Sequence, residues 1–384
     1  VAPTLGSWLA DADETPLTAV AVRGAGASVG AGLAGLVIVA WGGSPVGPFG
    51  SGLVSLLDPT FRLSLSLAIL AMAAAVVLRS GAIPAHLWAA RFAGGVTPLA
   101  IPASLAWGSA AFTLVALGWS SSAAAAGGVA IDDAGRAIVV LVAVGSIGLG
   151  GLAAILHDDL EHVLGYSVIQ TAGVALLAFA SLGPSANQAT GQAAADWLVA
   201  TAAVLSAMAA WIAVARWSFG AHRLSELRGW ARRSPGLAIA AATILVGFIG
   251  LPGMAVFDAR AHLAGGALPG VLGAALVLVA LSPVVAIGRV LVVGVGRVAP
   301  EVAAAPRERL GILIRPAGGW SRGGLSRGGL AWGLRVTATT VRANAALVAT
   351  LAAVLLAVVG LAFAVTGAGT AGAAGSSGGT ASTG

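Results

Sequence analysis

Two stretches of this apolar chain carry ionisable side chains in a pattern that suits proton movement through a membrane. In the first stretch Arg79 is followed by His86, and in the second Asp258, Arg260 and His262 occur at alternate positions. Asp258 and His262 are one helical turn apart, so they share a helix face. Ionisable groups inside a membrane span are costly and often mark an ion or proton path. We therefore treat these residues as candidates for a proton path.

Both stretches also contain residues that interrupt a helix. Pro84 lies between Arg79 and His86, while Gly250 and Pro252 precede Asp258. Proline removes a backbone hydrogen bond, so we expect a helix break at each place. A broken helix beside ionisable groups is a common way to build an ion path in a membrane protein.

The two arginines limit what this path can do. A proton carrier must gain and lose a proton near ambient pH, whereas arginine stays protonated in proteins. We expect Asp258 to be the partner of Arg260, and we find no evident partner for Arg79. Two interpretations stay open for each cation: Arg79 is a path residue or reaches the membrane surface, and Arg260 is a path residue or a structural ion pair. His86 is either a proton-loading group or a hydrogen-bonding residue of the helix break, and His262 is a candidate titrating relay one helical turn from Asp258.

Composition sets the class of protein. The chain has 384 residues, of which 58% are hydrophobic and only 9% are charged. Soluble domains carry about 25% charged residues, so a soluble enzyme, a disordered protein and a nucleic-acid-binding protein are excluded. Cysteine is absent, which excludes disulfides and thiolate metal sites. These numbers predict an all-α polytopic membrane protein.

The apolar segments predict about nine transmembrane helices, two of them broken. They lie at 19–41, 62–90, 96–118, 136–156, 162–183, 195–215, 235–263, 270–295 and 344–366. We divide the chain into a polar segment (1–17), a transmembrane domain (18–366) and a flexible tail rich in Gly, Ala, Ser and Thr (367–384). The acidic N-terminal segment does not suit a secretory signal peptide.

Arginine placement predicts the orientation in the membrane. Arginines concentrate in the loop 216–233 and in the segment 297–342, and they are absent from the loops on the opposite side: 42–61, 119–135, 184–194 and 264–269. By the positive-inside rule the Arg-rich loops are cytoplasmic and the C-terminus is outside.

A group of polar residues begins near the predicted helix 162–183. We interpret His157, Asp158 and Asp159 as a solvated loop and Glu161 and His162 as a solvated helix start. We interpret three further polar residues of this helix as packing groups between helices: Tyr166, Ser167 and Gln170.

Taken in order, these motifs resemble the proton-conducting antiporter-like membrane subunits of respiratory complex I, the NADH–quinone oxidoreductase, and most of all its subunit N. The residues that carry the resemblance are Arg79, Pro84, His86, Trp88, Thr97, Pro98, the helix start 164–169, the loop 227–235, Gly250, Pro252, Phe257, Arg260 and the run 281–291.

The resemblance implies a fold of fourteen helices, which this chain matches from about the sixth onward. It implies proton translocation coupled to quinone reduction, in the plasma membrane of a bacterium. The partners implied are other membrane-arm subunits and the lipid bilayer. No cofactor is expected in this chain, because the resemblance assigns NADH, flavin, iron–sulfur clusters and quinone to partner subunits.

The chain departs from the family at the positions that the family fills with lysine. Arg79, Gly108 and Arg260 stand there instead, and the helix with the family's membrane glutamate has no counterpart. Two alternatives follow, a structural subunit that does not pump and a subunit of a cation/proton antiporter. A metabolite transporter is a further alternative, which would require a substrate-sized cavity.

Overall fold

A computed structural model describes residues 26–35, 37, 59–127, 131–182 and 187–297. The predicted N-terminal segment 1–17, the Arg-rich segment after 297, the span 344–366 and the tail lie outside these residues. Within them the chain is helical, and one isolated β-bridge joins Asp159 and Arg223. The prediction of an all-α membrane protein is confirmed.

The helices follow one another through short connections. Residues 26–35 are helical, and the later helices are α1 (Pro59–Ser80), α2 (His86–Gly95), α3 (Gly108–Gly127), α4 (Asp133–Leu156), α5 (Leu160–Ala180), α6 (Asn187–Phe219), α7 (Pro235–Ile249), α8 (Ala255–Ala267), α9 (Val271–Val279) and α10 (Ser282–Val295). A π-helical segment (Pro102–Trp107) runs directly into α3. A 3-10 turn (Leu224–Leu227) and a four-residue helical turn (Trp230–Arg233) lie between α6 and α7.

Six segments of the described chain are long and apolar enough to cross a membrane. They are Leu63–Ser80, Pro102–Ala124, Asp133–Leu156, Leu160–Ala180, Ala189–Phe219 and Val271–Val295. Helix α7 is a shorter apolar helix. These segments agree with the spans predicted between residues 62 and 295, so the chain is a multi-pass membrane protein.

Helix α5 forms the axis of the bundle and packs against α2, α4, α6 and α8. Of this span, 89% is buried inside the protein, against 39% for α4. Glycines allow α4 and α5 to approach closely: a methyl group on Gly150 would lie 2.9 Å from the backbone nitrogen of Gln170, and one on Gly173 would lie 2.9 Å from the carbonyl oxygen of Ala143. Small residues at such contacts are typical of membrane helix packing.

Two interruptions lie where the sequence predicts helix breaks. Helix α1 ends at Ser80 and α2 begins at His86, with Pro84 in the connection. Helix α7 ends at Ile249 and α8 begins at Ala255, with Pro252 in the connection. Gly250 has a φ of 57°, a left-handed conformation that favours glycine.

A further interruption, which the sequence analysis did not predict, divides the span 270–295. Helix α9 ends at Val279 and α10 begins at Ser282, with Pro283 in its first turn. The side-chain amide of Gln170 on α5 donates a 2.8 Å hydrogen bond to the carbonyl oxygen of Ala280. Gln170 is therefore more than a packing group, because it satisfies a carbonyl at the interruption.

Candidate functional site

Arg260 lies in the middle of α8, the half of the second broken helix that follows the break, with 1% of its surface exposed. Its Nη2 atom donates a hydrogen bond to the carbonyl oxygen of Ile249, the last residue of α7. The carbonyls at the end of a helix have no partner within that helix, so the arginine of α8 supplies one. The Arg260 guanidinium carbon also lies 5.7 Å from the ring centroid of Trp197 on α6, which is the range of a cation–π contact.

Two of the hydrogen-bond donor atoms of Arg260 are left without a partner. Its Nε and Nη1 atoms are buried and have no hydrogen-bond partner among the described residues. Buried polar groups nearly always have a partner in the protein or in ordered water. The Arg260 site therefore has the donors to bind water or a mobile polar group within the bundle.

The structure separates Asp258 from Arg260, so the expected ion pair is not formed. Asp258 and His262 are exposed on α8, while Arg260 is buried. The reason is geometrical, because residues two positions apart on an α-helix do not face each other. Asp258 and His262 occur on one exposed face, and the ion pairs found in the described part of the chain involve other residues.

Arg79 is partly buried in the last turn of α1 and reaches across to α3. A methyl group on Gly108, the first residue of α3, would lie 2.7 Å from Nη2 of Arg79. The hydroxyl of Ser109 donates a 3.2 Å hydrogen bond to the carbonyl oxygen of Arg79. The guanidinium of position 79 thus lies directly against position 108, so two departures from the family pattern meet at one place.

His86 is the first residue of α2 and is partly buried at the first break. Its Nδ1 atom is buried without a hydrogen-bond partner in the described ranges. Nearby, the indole nitrogen of Trp88 donates a 3.0 Å hydrogen bond to the carbonyl oxygen of Leu78. This bond ties α2 back to α1 and fixes the position of His86 relative to Arg79.

Sequence reasoning missed an ion pair at the start of α5. Glu161 is buried, with 7% of its surface exposed, and its carboxylate pairs with Nη1 of Arg216 on α6. The prediction of a solvated Glu161 was wrong, because a residue distant in sequence provides the charge that allows burial. No spacing in the sequence signals this pair.

The turn between α4 and α5 also holds the loop that follows α6. Asp158 accepts hydrogen bonds from the backbone nitrogen (3.2 Å) and hydroxyl (2.5 Å) of Ser225, and Asp159 lies 3.5 Å from Nε of Arg223. Backbone N–H groups of His222 and Arg223 donate to Glu226 and hold the pKa of its carboxyl below its usual range. The residues predicted to form a solvated loop therefore hold the loop after α6 in place.

The histidines of this turn form a ring cluster. The rings of His157 and His162 stack with centroids 5.4 Å apart, and Tyr166 lies 4.8 Å from His157. In the part of the chain that the structure describes, no three His, Asp or Glu side chains form a group that could hold a metal ion.

A family model described as NADH:quinone oxidoreductase/Mrp antiporter, transmembrane, matches residues 58–284, which is more than half of the chain. The chain belongs to this antiporter family. The match includes both broken helices, together with Arg79, Gly108 and Arg260.

Named relatives within the antiporter family are NADH-quinone oxidoreductase subunits N. Subunit N 1 of Streptomyces griseus is 32% identical over 216 residues, covering 56% of this chain and 43% of that protein. Subunit N of Dehalococcoides mccartyi is 28% identical over 210 residues, covering 54% and 43%. The chain thus matches less than half the length of these curated relatives.

Solved structures show the same fold. The Mrp complex from Dietzia sp. DQ12-45-1b aligns with a TM-score of 0.56 at 18% identity, covering 91% of this chain and 66% of that chain. Respiratory complex I from Thermus thermophilus with bound NADH aligns with a TM-score of 0.52 at 20% identity, covering 73% and 58%. The fold is thus that of an antiporter-like membrane subunit.

Proposed function

We propose that this chain is a subunit N-like component of the membrane arm of a complex I-type NADH–quinone oxidoreductase, and that it contributes to proton translocation coupled to quinone reduction. The named relatives support the assignment to subunit N. The observation that carries the translocation role is Arg260, a buried cation at a helix break whose Nε and Nη1 have no partner among the described residues.

Arg260 acts in this proposal as a fixed charge. Arginine keeps its proton, so the carriers are other groups or water, and the cation sets the barrier for a proton that passes nearby. In a medium of low dielectric constant a nearby charge changes such a barrier strongly. A shift of α7 relative to α8 would move the Ile249 carbonyl away from the guanidinium and change that barrier.

The setting of the chain is part of the same proposal. The loop 216–233 faces the cytoplasm, the C-terminus lies outside, and the membrane is the plasma membrane of a bacterium. Other membrane-arm subunits are the partners, and NADH, flavin, iron–sulfur clusters and quinone are bound by partner subunits. The Arg-rich distribution in the sequence supports this orientation.

The test replaces Arg260 with methionine in the native complex. Inverted membrane vesicles are energised with NADH, and proton uptake is measured with a pH-sensitive dye and expressed per NADH oxidised. We expect net uptake per NADH to fall by about tenfold, because without the fixed positive charge protons flow back through the path. A tenfold change corresponds to a barrier change of about 1.4 kcal/mol. Arg91→Met is the matched control, because Arg91 is exposed on α2.

A structural subunit that does not pump is the second candidate. It is favoured by the presence of arginine and glycine where the family pattern has lysine, at Arg79, Gly108 and Arg260. If Arg79→Ala and Arg260→Met both leave proton uptake per NADH unchanged in an assembled complex, the structural role replaces our proposal. Cation-driven proton exchange in vesicles without NADH would instead indicate an antiporter subunit.

A further inference from the structure

A groove lies between α4 and the interrupted span α9–α10, on the outer surface of the bundle. Its volume is about 300 Å³. Aliphatic side chains form most of its wall, and Ser282 is the one residue with a polar side chain among those that line it. The large lining residues on the two sides are Leu152, Ile155, Leu278, Val279 and Val285. We call this space the aliphatic groove.

The aliphatic groove separates the two spans that the rest of the protein covers least. Among the six spans of the described chain, α4 and Val271–Val295 have the smallest buried shares, 39% and 33%. Leu152 and Val285, on opposite sides of the groove, are each 52% exposed. Membrane helices that pack against a partner helix favour small residues at the contact. These large exposed aliphatic side chains instead suit the acyl chain of a lipid.

A cation lies at one end of the aliphatic groove. Helix α10 carries Ser282, Val285 and Arg289 at spacings of three and four residues, so the three share one helix face. Nη1 of Arg289 donates a 3.5 Å hydrogen bond to the carbonyl oxygen of His157, the residue directly after α4. The Arg289 side chain therefore bridges the two helices that form the groove.

Arg289 keeps hydrogen-bond donors for an anion. A guanidinium group has five N–H donors, and the contact with the His157 carbonyl uses one nitrogen. The side chain is partly exposed, and the ion pairs found in the described ranges involve other residues. Arginine binds phosphate groups through pairs of N–H donors. This end of the groove is therefore suited to a phosphate.

More positive charge lies near the same end of α10. The backbone N–H of Gly229 donates a 3.0 Å hydrogen bond to the carbonyl oxygen of Val293, and this contact holds the loop after α6 against the last turns of α10. Arg228 and Arg232 are exposed on that loop. Basic residues near a membrane surface attract anionic lipids, so this arrangement favours an anionic headgroup over a zwitterionic one.

The length of the site agrees with one leaflet of a bilayer. Arg289 follows Ser282 by seven residues, which is about 10 Å along an α-helix. The hydrocarbon core of a membrane is about 30 Å thick, so one leaflet contributes about 15 Å. The interruption before Ser282 lies near the middle of the span Val271–Val295. The groove thus runs from the middle of the membrane towards the surface, where Arg289 stands.

We propose that the aliphatic groove and Arg289 form a binding site for an anionic phospholipid. One acyl chain lies between Leu152 and Val285, and the phosphate accepts hydrogen bonds from the Arg289 guanidinium. The bound lipid joins α4 to α10 beside the interruption between α9 and α10. This site depends on the membrane location of the chain and not on the proposed proton translocation.

The test uses the native assembly, purified through a tag on this chain. The probe is phosphatidylglycerol with a diazirine group in one acyl chain, and the reference probe is phosphatidylcholine with the same chain. After illumination, mass spectrometry measures how strongly each probe labels the peptides that contain Leu152 and Val285.

Two variants separate the headgroup site from the groove. Arg289→Gln removes the cation, and Arg91→Gln is its control because Arg91 is an exposed arginine on α2. Gly148→Leu fills the groove, since Gly148 lines it and a methyl group there meets no neighbour within 4 Å. Gly118→Leu on α3 is the matched control, because a methyl group there also meets no neighbour within 4 Å and the position lies outside the groove.

We expect the phosphatidylglycerol probe to label both wild-type peptides at least about fivefold more strongly than the phosphatidylcholine probe. Arg289→Gln should make the two probes equal, Gly148→Leu should lower labelling by both, and both controls should match the wild type. Equal labelling by the two probes in the wild type, or a preference that survives Arg289→Gln, would overturn the proposal. Absence of labelling by either probe would also overturn it, because another protein chain would then cover the groove.

A second measurement decides the matter if a variant fails to assemble. High-resolution density of the native assembly in nanodiscs with phosphatidylglycerol should show an elongated acyl chain in the groove and a headgroup within hydrogen-bonding distance of Arg289. An empty groove, or a helix of another subunit in it, would overturn the proposal.

Discussion

The two broken helices each place an arginine beside the break, but the two arginines are used in different ways. Arg260 turns back onto its own broken helix and binds the carbonyl of Ile249. Arg79 leaves its helix and lies against Gly108 on α3. Arg260 thus supplies a hydrogen bond within the broken helix to which it belongs, whereas Arg79 connects α1 to α3. The same residue type at similar breaks therefore does not imply the same role.

The difference follows from where each arginine stands relative to its break. Arg260 comes after the break, so it can reach back to the carbonyl that the end of α7 leaves without a partner. Arg79 comes before the break, and Ser109 already binds its backbone carbonyl. Its side chain extends to the space that the glycine at position 108 leaves open.

The largest expected effect on proton uptake is at Arg260, where we expect protein stability to change little. The carbonyl hydrogen bond contributes about 1.5–3 kcal/mol and the cation–π contact about 0.5–2 kcal/mol, while placing arginine in a membrane costs about 2.5–3.5 kcal/mol. These terms nearly cancel. We expect Arg260→Met to change the free energy of unfolding by less than about 1 kcal/mol while proton uptake falls strongly. Thermal unfolding of the purified complex, followed alongside uptake, measures both.

Arg216 is a useful comparison for Arg260, because its partner is the carboxylate of Glu161 rather than a backbone carbonyl. We expect Arg216→Met to destabilise the protein by about 1–3 kcal/mol, since it leaves the buried Glu161 without its cation. The double variant Glu161→Gln/Arg216→Met should recover most of this loss. Thermal midpoints of the two single variants and the double variant measure the coupling, and purely additive losses would contradict the role of the pair.

We expect a smaller effect on proton uptake at Gly108. A methyl group there displaces the flexible end of Arg79 rather than any backbone atom, so we expect Gly108→Ala to reduce proton uptake while stability changes little. In a double-mutant cycle on the free energy of unfolding, we expect a coupling energy of about 0.5–1 kcal/mol between Gly108→Ala and Arg79→Ala, because both changes disturb the same contact. Gly118→Ala on α3 is the control, since a methyl group there meets no neighbour within 4 Å. Equal effects at Gly108 and Gly118 would contradict this role.

The smallest expected effect on proton uptake concerns Trp197. Trp197→Phe keeps an aromatic ring beneath Arg260 but removes the hydrogen bond to Thr171. We expect a loss of about 0.5–1.5 kcal/mol in the free energy of unfolding, with most of the proton uptake retained. A loss of uptake as large as that of Arg260→Met would show that the indole N–H group, rather than the ring, is the essential part.

Features encoded by neighbouring residues were predictable from the sequence. Pro84, Gly250 and Pro252 interrupt helices by their own chemistry, and the breaks lie where these residues stand. Pro283 carried the same kind of signal, but the span around it is so apolar that it was predicted as continuous. The family resemblance also came from the order of such local motifs, and the family match to residues 58–284 confirms it.

Features made by residues distant in the chain were not predictable. Glu161 and Arg216 belong to different helices and become partners only when α5 packs against α6. The predicted pairing of Asp258 with Arg260 was wrong. The two residues are close in sequence, but residues two positions apart on an α-helix do not face each other.

The backbone contacts at Gly150 and Gly173 restrict how the bundle can move. Close-packed helices with no room for a methyl group between them cannot slide along each other without a clash. Helices α4 and α5 must therefore travel as one rigid body. Any relative movement of the helices would then occur at the helix interruptions next to α4 and α5.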